Sequence, residues 1–293
     1  MAFSRRYLGR RQMDNLQQQR LELKYIILED TARGVRDFVS SYLTVDKFGA
    51  RQPDFSYPVH SLYLDSDDLA FYWHTINGNK NRFKLRLRYY EDRQAAPVYF
   101  EIKRRINGAI FKQRGAVTRD AVDGLLAGQL PDPDQLFFDE PAHLMALEHF
   151  CELMQLHHAK PKAHIAYRRE AWISTNDNST RVTMDRQTQL DFEPTSLLHT
   201  EMRNPVNVFQ NGIVLELKFT GRFPDWFKEL ARCFNLWQCG AAKYVDGLTL
   251  LMESGVDIES PAASLPPETE EKLHLRRQNL EKALQTNESV HAI

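Results

Sequence analysis

Between positions 82 and 89 the chain reads Arg-Phe-Lys-Leu-Arg-Leu-Arg-Tyr, with a cation at every even position and an apolar or aromatic side chain at every odd one. A period of two belongs to a β-strand, whose successive side chains point to opposite faces. One face of this strand is therefore cationic, and the other has to be covered. The pattern recurs. Arg20, Glu22 and Lys24 alternate with Leu21, Leu23 and Tyr25, and Glu101, Lys103 and Arg105 with Phe100 and Ile102. Glu216 and Lys218 alternate with Leu215, Leu217 and Phe219. Lys112 and Arg114 share a face beyond Asn107-Gly108, a dipeptide suited to a tight hairpin. Tyr167 shares a face with Arg169; Arg181, Thr183 and Asp185 share one opposite Val182 and Met184. Adding residues 59–65 and 189–192 brings the strand candidates to about eight or nine.

Helical patterns fall between and after these strands. Asp30 can cap a helix carrying Val35, Phe38, Val39 and Tyr42, and Asp65 one that ends near Gly78. Thr118 opens a short helix, and Pro141 suits the first turn of a longer one through His157. Residues 224–236 and 245–253 complete the set. Pro261, Pro266 and Pro267 then mark a linker to a charged, helix-prone tail expected outside the main domain. This predicts a basic, flexible N-terminus over 1–17, one domain over 18–253, and a linker and tail over 254–293. Covering the apolar faces with amphipathic helices and closing the edges predicts an α+β fold: a closed antiparallel β-barrel of about eight strands with helices packed outside.

Charge gives that fold a partner. The net charge is −1, but residues 82–114 carry ten basic side chains opposed by Glu91, Asp92 and Glu101 alone, leaving −8 on the remainder. Cations converging inside a narrow barrel repel one another unless a polyanion and a metal ion neutralise them, which points to a tunnel lined for phosphate. Nucleic acid is not expected, because the rest of the chain is acidic and no stacking motif appears. No apolar run approaches the roughly 18 residues of a membrane span, and the basic, polar N-terminus is no signal peptide. Cys151, Cys233 and Cys239 form neither an even disulfide set nor a metal motif, so a reducing cytoplasm is expected, with Cys233 and Cys239 as buried thiols.

The strings Arg20–Tyr25, Ser61–Asp65, Lys84–Tyr90, Phe100–Arg104, Ile110–Arg114, Ala166–Arg169, Arg181–Asp185, Leu215–Phe219 and Ala242-Lys243-Tyr244 resemble, in order and spacing, the VTC domain. This is the catalytic domain of polyphosphate polymerases, within the triphosphate tunnel metalloenzymes and CYTH-like proteins. The resemblance covers roughly residues 18 to 253. It implies that Arg86 and Arg88 bind nucleotide phosphates, with Lys103, Lys112, Tyr167, Arg169, Arg181, Lys24 and Lys243 as further phosphate ligands. Lys84, Arg114 and Lys218 share that face, and Arg82 and Arg105 lie near its strand ends, placed to steer substrate inward. The resemblance also implies that Glu216 holds Mn²⁺ or Mg²⁺, with Glu22 and Glu101 as further candidates. The catalytic set is then Arg86, Arg88, Lys103, Lys112, Arg169 and Glu216, acting on ATP and inorganic polyphosphate or triphosphate.

Two positions depart from the pattern. Ala242 replaces a serine, and Gly240 stands where the polymerase has another lysine, so chain binding weakens at one end. The residues show no counterpart of the SPX domain or membrane segments of the eukaryotic complex, so a bacterial stand-alone member is expected. Hydrolytic relatives begin with Glu-x-Glu-x-Lys, whereas Arg20 replaces the first glutamate here. That favours a polymerase transferring the ATP γ-phosphate to a growing chain. A triphosphate hydrolase and a non-catalytic polyphosphate or nucleotide binder are the alternatives.

Overall fold

A computed structural model describes residues 20–175, 179–256, 258 and 267–289; the expected flexible segment 1–17 lies outside the described residues. Among the described residues ten strands form one antiparallel sheet. Its long members are β1 (Arg20–Ile27), β3 (Ser56–Asp65), β4 (Arg82–Tyr89), β5 (Val98–Ile106), β6 (Ala109–Val117), β7 (Lys160–Ile173), β8 (Thr180–Phe192) and β10 (Ile213–Thr220). Two-residue strands, β2 (Thr44–Val45) and β9 (Val206–Asn207), edge the sheet, whose order is β2-β7-β3-β4-β5-β6-β1-β10-β8-β9.

The sheet curls until β7 also pairs β8, but it does not close. Among the described residues a single pair between β1 and β6, Arg20 with Ile110, is in register, whereas β1 pairs β10 along its whole length. The expected closed barrel of about eight strands is thus corrected to a ten-stranded antiparallel sheet with an open seam. Side chains bridge the region instead: Lys103 of β5 reaches Glu22 of β1 at 3.2 Å.

Alternation then sorts the two faces. On the outer side, α1 (Glu29–Ser40) and α5 (Asp225–Cys233) bury Val35, Val39, Phe227 and Leu230 against Val182, Leu215 and Leu217. The helices α3 (Val122–Leu126) and α4 (Pro141–Leu156) bury Leu125, Leu147, Phe150 and Met154 against Leu85, Leu87 and Phe100. Gly115 permits the close approach of α4, because a Cβ there would run into Leu147 and stand 2.6 Å from the His143 carbonyl oxygen.

Helix α2 (Ala70–Ile76) is held by Asp65, whose carboxylate accepts the Phe71 and Tyr72 N–H groups at 2.9 and 3.0 Å. Not every helix lies outside. Tyr57, Val59, Tyr63 and Tyr167 share the inner face with the charges, and α6 (Lys243–Glu253) covers them with Tyr244, Val245 and Leu248. Tyr63 stacks on Tyr244 with ring centroids 5.0 Å apart. The last helix, α7 (Pro267–Ser289), expected apart from the domain, packs Leu273, Leu280 and Ala283 onto the same cluster. Cys233 is exposed and Cys239 half-buried, correcting the expectation of two buried thiols; Cys151 is the buried one.

Candidate functional site

The inner face encloses a cavity of about 1220 Å³. Strand register builds its wall. Lys84, Lys103 and Lys112 stand side by side across β4, β5 and β6, and the adjacent row is Arg86, Glu101 and Arg114. On the facing wall Glu22, Lys218 and Arg181 form one row across β1, β10 and β8, and Lys24, Glu216 and Thr183 form the next. Like charges directly opposite on neighbouring strands destabilise a sheet, so a row of three lysines carries a cost that function or counter-charge has to offset.

Part of the counter-charge comes from the protein. The sequence led us to expect a polyanion and a metal to neutralise the cations; buried carboxylates interleaved among them do much of this. Glu101, fully buried, accepts Arg86 Nε and Nη2 at 2.9 and 2.7 Å, lies 3.8 Å from Arg88, and is ion-paired with Lys112. Asp185, also fully buried, takes both prongs of Arg169 at 2.7 Å and Lys243 at 2.7 Å. Although burial favours its neutral form, Arg169 and Lys243 hold Asp185 down to about 2. Glu216 meets Lys24, Lys218, Lys243 and Arg169 at 3.1, 2.5, 3.4 and 3.7 Å and accepts the Thr183 hydroxyl at 3.2 Å. Those four cations overcome burial and keep Glu216 well below the usual carboxylate range. Arg181 is pinned by Asp46 at 3.2 Å, and Arg88 donates to the Tyr167 hydroxyl at 3.2 Å.

The cations do not all stay ordinary. Burial lowers Lys112 to about 7, with Glu101 opposing the shift and Arg88 and Arg86 adding to it. Burial likewise lowers Lys218 to about 8 despite Glu216. Such lysines gain most from an anion that restores their charged form.

Every expected phosphate ligand converges on this cavity: Lys24, Lys84, Arg86, Arg88, Lys103, Lys112, Arg114, Tyr167, Arg169, Arg181, Lys218 and Lys243 all line it. Arg82 and Arg105 line it as well. Arg168 instead bonds Ser56 at 3.0 Å, outside that cluster of charges, as alternation predicts. Arg104 bonds His149 at 2.9 Å but also lines the cavity, so the expectation that it faces away is corrected. The expected metal ligands divide. Glu22 and Glu216 flank the Lys24 ammonium at 3.2 and 3.1 Å, whereas Glu101 is tied to Arg86, Arg88 and Lys112. Among the described residues no group of three or more His, Cys, Asp or Glu side chains is arranged to hold a metal ion. Two carboxylates sharing a cation position fit Mg²⁺ or Mn²⁺ bound jointly with substrate phosphates, which needs no all-protein cage.

Sequence reading missed several contributors. Tyr63 accepts from Arg86 Nη1 at 2.8 Å and lines the cavity with Trp237 and Gln238, and α7 adds Arg276 and Asn279. Tyr63 shares the parity of Tyr57 and Val59, but those apolar neighbours gave no sign of a charged cavity. No signal in the sequence links Arg276 of α7, more than thirty residues downstream of Lys243, to this wall.

None of the curated proteins matches the chain significantly. Among solved structures it is similar to a Bacillus halodurans protein described as a candidate adenylate cyclase, at 14% identity and a TM-score of 0.42, covering 77% of this chain and 94% of that one. It is also similar to the PH1819 protein of Pyrococcus horikoshii, at 10% identity and a TM-score of 0.39, covering 81% and 99%. No helix among the described residues is long and apolar enough to cross a membrane. Residues 19–252, most of the chain and all of the cavity strands from Leu21 onward, match the VTC domain, and the chain belongs to that family.

Proposed function

We propose that the cavity binds the triphosphate of ATP and transfers its γ-phosphoryl group to the end of a polyphosphate chain. The observation that carries this reading is the pairing of every cavity carboxylate. Glu101 and Asp185 are tied to arginine and lysine, and Glu22 and Glu216 hold cations here and are the residues for a metal ion with substrate bound, so no carboxylate of this set is left over as a base for water. A phosphate-chain acceptor needs no such base, because its terminal oxygen is already ionised near neutral pH. The bond from the β,γ-bridging oxygen to the γ-phosphorus breaks, a bond from the acceptor oxygen forms, and ADP leaves with the electron pair.

Phosphoryl transfer asks the protein for positioning and charge stabilisation. Arg86, Arg88 and Arg169 offer planar forks to non-bridging oxygens, held in place by Glu101 and Asp185. Lys103 and Lys112 supply point charges from the next two strands. Glu216 and Glu22 are the residues to hold Mn²⁺ or Mg²⁺, which would supply charge neutralisation across adjacent phosphates. When the anion enters, Lys24 exchanges its carboxylate partners for phosphate oxygens.

The test is an incubation with ATP and Mn²⁺ or Mg²⁺ followed by ³¹P NMR and a polyphosphate gel. Long-chain phosphate with ADP is the expected product. Free phosphate instead, from ATP or tripolyphosphate, would make the protein a hydrolase, and unchanged but bound nucleotide would make it a binding module.

A further inference from the structure

The helix α7 lies beyond the residues that match the family, yet it reaches the cavity. Its seat is specific. Leu273, Leu280 and Ala283 pack on the inner core cluster, and the Lys282 ammonium sits 4.3 Å over the Trp237 ring. Arg276 is oriented from two sides: Nε pairs with Asp246, and Nη2 donates to the Gly240 carbonyl oxygen at 3.2 Å. Asp246 is fully engaged, since its other oxygen accepts the Ala242 N–H at 2.6 Å. Arg276 Nη1 passes 3.5 Å from where a Cβ on Gly240 would stand, so the guanidinium fills the space beside that glycine.

At this end of the cavity protein counter-charge is scarce, Asp246 being spent on Arg276. Arg82, Lys84 and Arg105 line it, and among the described residues none of the three forms an ion pair with a carboxylate. Burial drives Lys84 well below the ordinary lysine range, and Lys24, Lys103 and Arg276 push it further. Arg86 and Arg88, by contrast, share Glu101.

We infer that Arg276 of α7, together with Arg82, Lys84 and Arg105, forms an anion subsite at the α7 end of the cavity that takes the distal phosphates of a linear polyphosphate. This rests on the reading that the cavity accepts phosphate chains. Position 84 of β4 lies about 7 Å along the strand from position 86 and about 13 Å from position 88. An anion gripped at Arg86 and Arg88 therefore meets Arg276 only when it extends further along the wall. The C-terminal helix thus makes the site selective for chain length, favouring long polyphosphate over tripolyphosphate.

The test compares binding of long-chain linear polyphosphate and tripolyphosphate by titration calorimetry, using the full chain with Arg276→Gln, Arg276→Lys and Leu280→Ala. Removing one charge-assisted contact should weaken long-chain binding by about tenfold or more in Arg276→Gln. Tripolyphosphate binding should stay within about twofold, and Arg276→Lys should recover most of the long-chain affinity. Leu280→Ala loosens the helix but keeps the charge, so it should cost less long-chain affinity than Arg276→Gln. Equal losses for both anions, no rescue by lysine, or an equal loss in Leu280→Ala would overturn the inference and leave the cavity reading intact. Failure of the unaltered protein to bind either anion would instead sink the cavity reading, and this inference with it.

Discussion

Neutralising Glu101 isolates the central physical claim, that buried carboxylates stand in for phosphate in the cavity. Glu101→Gln keeps the shape but leaves Arg86, Arg88 and Lys112 without their shared counter-charge, and the first two are 13% and 8% exposed. Breaking a buried ion pair by removing one partner costs about 3 to 5 kcal/mol. For a domain of this size each kcal/mol moves the melting temperature by about 2 to 4 °C, so the variant should melt roughly 6 to 20 °C below the parent. The informative measurement is the same melt with tripolyphosphate present. A ligand at about a hundred times its dissociation constant adds about 2.7 kcal/mol by mass action. The variant should gain more than the parent, because phosphate supplies the charge its cations lack. A variant melting within about 2 °C of the parent would refute the ledger of charges, and so would a ligand-induced gain no larger than the parent's.

Three further outcomes are expected. Arg86→Ala or Arg88→Ala should each raise the dissociation constant for ATP by about tenfold or more, if each guanidinium contributes about 1.5 to 3 kcal/mol; unchanged binding in both, measured by calorimetry, would argue against a phosphate site. Lys112 titrates at about 7 and Lys218 at about 8, and phosphate binds only the ammonium form. Affinity for tripolyphosphate should therefore be highest below about pH 7 and fall as pH rises through both values, and Lys112→Met should flatten the lower part of that fall. Gly115→Ala should destabilise the fold by about 1 to 3 kcal/mol in urea melts, because its methyl group meets Leu147 and the backbone of α4; stability equal to the parent's would show that α4 yields freely.

Alternation by itself determined which side chains share a face, because a strand's period of two is local and independent of what it meets. That placed Lys84, Arg86 and Arg88 together and sent Arg168 to the other side, although Arg104 still reaches the cavity. The charge excess over residues 82–114 likewise announced an anionic partner before any strand was paired.

Only the tertiary structure decided which charges meet. Register set Lys84 beside Lys103 and Lys112, and Glu101 between Arg86 and Arg114, since pairing depends on turns and bulges far from the side chains concerned. Curvature brought Asp185 to Lys243 and left the β1–β6 seam open, where the sequence alone suggested closure. Packing drew α6 onto the inner face and α7 onto the cavity wall. Neither helix carries a local signal for that position, because the apolar surface each covers is assembled from strands distant in the chain.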